Sequence, residues 1–114
     1  MSITEVDSQE VRDIARGESI LFSACFGPSL FGDTLATVAS VTQTSGSGTL
    51  TLTSGAINTG GPVSVDGVSR PINTVAQYRV TVGSSVAVGS YVVTVTCTTA
   101  NGNTRSMRCQ FRVV

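Results

Sequence analysis

The final twenty-five residues, SYVVTVTCTTANGNTRSMRCQFRVV, constrain the fold of this 114-residue chain more than any other segment. Apolar residues recur at Tyr91, Val93, Val95 and Cys97, and again at Met107, Cys109, Phe111 and Val113. Asn101-Gly102-Asn103 lies between the two runs. Period-two alternation on both sides of an Asn-Gly turn predicts a β-hairpin. Its polar face then carries Thr94, Thr96, Thr98, Arg108, Gln110 and Arg112, and no catalytic group.

The parity of this hairpin also constrains two cysteines. Both strands have their apolar residues at odd numbers, so in-register partners must have residue numbers with an even sum. A three-residue loop with Gly102 left-handed meets that condition and sets Val93 opposite Cys109. Cys97 then faces Arg105, and a Cys97–Cys109 disulfide would need a diagonal reach that disulfide geometry rarely allows.

Other segments extend the β pattern. Ser19–Phe26 alternates Ile20, Phe22, Ala24 and Phe26 and reads as a strand that Gly27-Pro28 ends. Ser29–Asp33 reads as a loop bearing two apolar residues, Leu30 and Phe31. Thr34–Gln43 is a second strand, apolar enough on both faces to leave its inward side ambiguous. Thr49–Thr53 is a short third strand, and Val63 and Val65 suit a short edge strand within the small-residue region Ser54–Arg70. Ile72–Val82 places Ile72, Thr74, Ala76, Tyr78, Val80 and Val82 on one face. About seven short strands at this spacing predict an all-β fold, an antiparallel β-sandwich.

The chain is long enough for one core and too short for two. Residues 1–17 form a polar, charged lead-in and residues 18–114 the sandwich. Within the lead-in, a short helix over Ser8–Arg16 capped by Ser8 competes with an extended arm. Five acids (Glu5, Asp7, Glu10, Asp13, Glu18) face two arginines in residues 1–18, whereas Asp33 and Asp66 face five arginines in the remainder. Net charge is zero, which argues against a general nucleic-acid binder. No apolar run reaches the ~18 residues of a membrane span, and the acidic start is unlike a secretory signal.

Chemistry-bearing groups are few. The chain has no His, the usual base for a Ser, Thr or Cys nucleophile. Asp33 and Asp66 each adjoin a glycine, where Asp serves local hydrogen bonding rather than paired acid–base work. Three cysteines (Cys25, Cys97, Cys109) lack a fourth ligand for structural zinc and read as buried free thiols of a protein made in the cytosol. Calcium would need a clustered acidic loop that is missing. These residues imply no enzyme, no metal and no cofactor.

The order of several motifs resembles a known group. Gly32-Asp33-Thr34-Leu35 is followed by Tyr78-Arg79-Val80, then Gly89-Ser90-Tyr91-Val92-Val93. The closing hairpin carries Thr98-Thr99, Gly102 and Arg105-Ser106. This pattern resembles the small immunoglobulin-like virion proteins of tailed bacteriophages, the capsid decoration or cement proteins and the fiber-tail adaptors. The resemblance spans roughly residues 17–114, and the last third carries most of it. This chain departs from it in having no tryptophan and in its long Ser54–Arg70 segment.

The resemblance implies an immunoglobulin-like sandwich and a non-enzymatic virion component, synthesised in the bacterial cytoplasm. Its partners would be the major capsid protein or other virion proteins, as a homo-oligomer on the particle, without nucleic acid or membrane. Contact candidates are Glu5, Asp7, Glu10 and Asp13 in the acidic arm, and Arg79, Arg108 and Arg112 on outward strand faces. Leu30 and Phe31 either anchor a partner or plug one end of the sandwich. A tail or neck adaptor is the alternative to a head decoration protein. A carbohydrate-binding module is a third reading, but Tyr78 and Tyr91, its natural stacking platforms, fall on inward faces.

Overall fold

Strands form where alternation lets one face be buried, and a computed structural model describes nine of them within residues 5–114. Side chains are described from Val11 onward, except those of Pro28, Ser29 and Ser54. The strands are β1 (Glu5–Ile14), β2 (Ser19–Cys25), β3 (Leu35–Ser45), β4 (Thr51–Ile57), β5 (Val63–Val65), β6 (Val68–Arg70), β7 (Val75–Thr81), β8 (Gly89–Thr99) and β9 (Thr104–Val113). A single helical turn, α1 (Gly27–Leu30), starts with Pro28 in its first turn, where a missing N–H is tolerated.

Two sheets face each other, one ordered β1-β9-β8-β3 and the other β2-β7-β4, with β5-β6 as a separate hairpin. This is an all-β sandwich in which the first described strand lies against the last. Every pairing is antiparallel except β1 with β9, which is parallel. The sandwich is antiparallel as expected apart from that one pair. β1 and β6 are the two strands beyond the expected seven.

The core lies between the sheets. It takes Ala76, Tyr78, Val80 and Val82 from the β7 segment, Tyr91, Val93, Val95 and Cys97 from β8, and Met107, Cys109, Phe111 and Val113 from β9. Phe111 stacks edge-on with Phe22 at 4.6 Å and with Tyr78 at 6.4 Å between ring centres. Fully burying each large apolar side chain contributes roughly 1.5–3 kcal/mol, which is why the odd-numbered stripes of the last hairpin set its register.

That register agrees with the parity argument. Val93 pairs with Cys109 and Cys97 with Arg105. Thr99 N–H donates to Asn103 O at 2.8 Å, which leaves Ala100-Asn101-Gly102 as the loop, with Gly102 at φ +82°. All three cysteines are free thiols, but Cys25, expected to be buried with the other two, is only half-buried because it ends the edge strand β2.

β3 explains why its inward side is illegible in sequence. Three register shifts against β8 fall between Leu35 and Thr37, Val38 and Ser40, and Gln43 and Ser45. Each extra residue flips the alternation. Leu35, Val38 and Val41 therefore all turn toward the core despite a spacing of three.

The strand expected from Ile72 starts only at Val75. Asn73 is left-handed at φ +60°, and Ile72, expected on the inner face, is 45 % exposed. Asn58 holds this start: its Oδ1 accepts from Thr74 N at 3.1 Å and Val75 N at 3.0 Å, and its Nδ2 donates to Pro71 O at 2.8 Å.

Residues 5–14 are extended, so the helical alternative for Ser8–Arg16 does not form. Val11 to Ile14 pair with Gln110 to Val113, and Ile14 is 1 % exposed. This part of the lead-in lies in the same sheet as β9 and contributes to the common core.

Candidate contact surfaces

Sheet alternation sends even-numbered residues of β8 and β9 outward, and a flat, hydroxyl-rich face results. Thr44 and Thr94 hydroxyls lie 3.1 Å apart, Thr37 and Thr98 hydroxyls 2.5 Å apart, and Thr96 and Ser106 hydroxyls 2.9 Å apart. Such cross-strand pairs satisfy one another and stabilise the sheet. Arg108 stands opposite Thr94 on this face and in register with Asp7 of β1.

Arg112 does not reach outward alone. Its Nε donates to Asp13 Oδ1 at 3.0 Å and its Nη2 to Asp13 Oδ2 at 2.8 Å, across the parallel β1–β9 pair. The carboxylate raises the Arg112 pKa, chiefly through these hydrogen bonds. Two residues expected to meet a partner therefore complete each other within the chain. A forked guanidinium–carboxylate pair has little remaining demand for an external charge.

Arg79 faces outward as expected, but on the other sheet. It lies on β7 between Leu21 and Thr53, on the outer face of the three-stranded sheet, and donates to Ser19 O at 3.3 Å. That is the opposite side of the sandwich from Arg108 and Arg112, so the three arginines form no single patch. Glu5, Asp7 and Glu10 fall on β1, and their side chains lie outside the described residues.

The Leu30–Phe31 pair divides. Leu30, the last residue of α1, is 2 % exposed and plugs one end of the core. It is therefore removed as a contact candidate. Phe31 follows at φ 51°, ψ 47°, a left-handed conformation that is unusual for a bulky residue. This turn points it away from Leu30, and at 69 % exposure it is the one exposed aromatic of the chain's six.

Asp33 holds the segment beneath Phe31 against the closing hairpin. Its Oδ1 accepts from Thr34 N at 2.8 Å and from Asn101 N at 3.3 Å, while Ala100 N–H donates to Thr34 O at 2.9 Å. The Thr99 side chain, then the backbone amides of Thr34 and Asn101, outweigh partial desolvation and lower the Asp33 pKa below its usual value. Gly32-Asp33-Thr34-Leu35 and the Thr98–Ser106 hairpin are thus one physical unit. The local role expected for Asp33 is present, and a link across 68 residues is added.

Two further contacts tie distant segments together, one at the β5–β6 turn and one at Tyr91. Asp66-Gly67 forms the two-residue turn between β5 and β6, with φ of 52° and 79°. The Asp-Gly turn context read from sequence is thus present, as the type I′ hairpin that Asp-Gly favours. Arg12 forms an ion pair with Asp66 and ties β1 to that turn. Tyr91 donates its hydroxyl to Ala87 O four residues upstream at 2.5 Å, as a tyrosine corner does, and accepts from Gly48 N at 3.0 Å.

The tyrosines are poor carbohydrate platforms, since Tyr78 and Tyr91 are 1 % and 0 % exposed. Among the described residues, no group of three or more His, Cys, Asp or Glu is placed to hold a metal ion. No helix among them is long and apolar enough to cross a membrane. Comparison with known families, curated proteins and solved structures finds no match for this chain.

Proposed function

We propose that this chain is a non-enzymatic structural protein of a tailed-phage particle, most directly a decoration protein that binds the head through protein–protein contacts. The observation that carries the reading is the end of the sandwich at Phe31. An exposed aromatic stands there on a segment that Asp33 clamps to the closing hairpin. Aromatic anchors on preorganised supports are the residues that dominate protein interfaces. The two sequence elements joined by the clamp are among those that resemble phage virion proteins, which supports the same assignment. Capsid protein or another virion protein is the partner this reading names.

Removing residues 1–16 would strip β1 from its sheet and delete buried Ile14, so lost binding would report misfolding. Phe31→Ala leaves the core intact. Quantitative mass spectrometry of purified particles should find the wild-type chain in many copies with the head fraction. Phe31→Ala should lower that occupancy at least tenfold with unchanged thermal stability. A single small ring of copies with the tail fraction would assign the adaptor role instead, and absence from washed particles would sink the virion reading.

A further inference from the structure

Exposed sheet edges are templates for pairing with another chain, and folded proteins blunt them with charges, bulges, prolines or short length. The two main sheets have four outer strands, β1, β3, β2 and β4. β1 holds five charged residues in ten and shifts register between Asp7 and Val11. β3 carries three register shifts. β4 shifts between Ser54 and Ile57. The separate strands β5 and β6 are three residues each.

β2 has none of these protections. Its sequence, SILFSAC, contains no charge and no proline, and it pairs with β7 without a register shift from Ser19 to Cys25. Among the described residues no strand pairs with its other side, because β1, which could have covered it, lies on β9 instead. The inner face of β2 is also unfinished. Ile20 and Phe22 point toward the core yet remain half-buried, while Tyr78 and Val80 beside them on β7 are 1 % and 0 % exposed. An open cleft of about 350 Å³ runs past them, lined by Ile20 to Ser23 on one side, by Arg12 and Phe111 on another and by Ser64 to Asp66 of the β5–β6 hairpin. On the outer face, Leu21 is 49 % exposed.

We propose that the outer edge of β2 pairs antiparallel with β2 of a second copy of this chain. A two-fold axis through the seam joins two three-stranded sheets into one of six and makes the contact self-complementary. The incoming strand is uncharged, so no like charges meet across the axis. It also brings its own Ile20 and Phe22, the apolar side chains needed to close the cleft. Arg12 and Asp66, which border the cleft, are already paired with each other, and the whole chain is neutral, so approach is not opposed. A seven-residue seam is small against the ~1,200–2,000 Å² of a standard interface, so the dimer is weak and grows with concentration. The proposal is independent of the virion reading, because it requires no other component.

Sedimentation velocity of the purified chain from micromolar to millimolar concentration should show a monomer–dimer equilibrium. Leu21→Glu places a carboxylate opposite Arg79 within the monomer and two carboxylates at the seam of the dimer. It should weaken association at least tenfold, while Thr42→Glu on β3 leaves it unchanged. In the wild type, hydrogen exchange at β2 amides should slow as concentration rises, with β3 amides unaffected; this measurement needs no variant to fold. A monomer throughout the range, or a dimer indifferent to Leu21→Glu whose β2 amides gain no protection, would overturn the proposal.

Discussion

Removing one oxygen from Tyr91 tests how the two ends of the chain's long connections are held. The ring is 0 % exposed, and its hydroxyl bridges Ala87 O at 2.5 Å and Gly48 N at 3.0 Å. It therefore joins the β3–β4 turn to the segment that leads into β8. Tyr91→Phe keeps the ring packing and leaves one N–H and one carbonyl without that partner. An unsatisfied buried group costs ~1–3 kcal/mol, and both partners here are only part-buried, so the combined loss should be about 2 kcal/mol. Unfolding entropy near ~2.1 cal/mol/K per residue scales to about 0.24 kcal/mol/K for 114 residues, so the melting temperature should drop by about 8 °C. Urea unfolding followed by far-ultraviolet circular dichroism gives the same quantity independently. Gly46→Ala probes the junction by another route, since its Cβ would sit 2.1 Å from the Tyr91 ring at a φ of +138°. It should cost more than Tyr91→Phe, because backbone must move. A Tyr91→Phe loss below about 0.5 kcal/mol would show that water replaces the hydroxyl and that the bridge holds nothing.

Two further perturbations address charge and protonation. Asp33→Asn should destabilise the protein at neutral pH. Because the folded carboxyl titrates below its ordinary 3.8, the difference from wild type should persist above about pH 4 and fade as pH drops through the lower folded value. Urea midpoints at several pH values measure this, and a pH-independent difference would refute the clamp. At the alkaline end, burial pushes the Cys97 thiol from 9.0 up to about 12 and also raises Tyr78 and Cys109. The folded state keeps protons that the unfolded chain releases. Stability should therefore hold below about pH 9 and fall as pH rises toward about 12. Cys97→Ala should make that decline shallower in urea melts; an unchanged slope would mean that Cys97 retains no proton on folding.

How much was legible depended on whether alternation ran unbroken. Odd-numbered residues of β8 and β9 alternate without a shift, so core, register and the separation of Cys97 from Cys109 followed from parity. β3 could not be read the same way, because three inserted residues reset its parity and only the pairing with β8 reveals where. Ile72 was misplaced for a related reason: a left-handed Asn73 held by distant Asn58 ends the alternation. The candidate contacts were legible as exposed or charged residues but not as partners of one another. Arg112 and Asp13 lie 99 residues apart, and Arg79 sits on a different sheet from Arg108.

Local periodicity and turn chemistry, which involve neighbours in sequence, determined an all-β sandwich, its closing hairpin and its inward tyrosines. Tertiary pairing alone decided that β1 would lie parallel to β9. That single choice buried Ile14, neutralised Arg112 with Asp13 and left the uncharged edge of β2 without a strand beside it. The reason is physical: a strand's own residues set which face is apolar, but which edge it joins depends on competing partners far away in the chain.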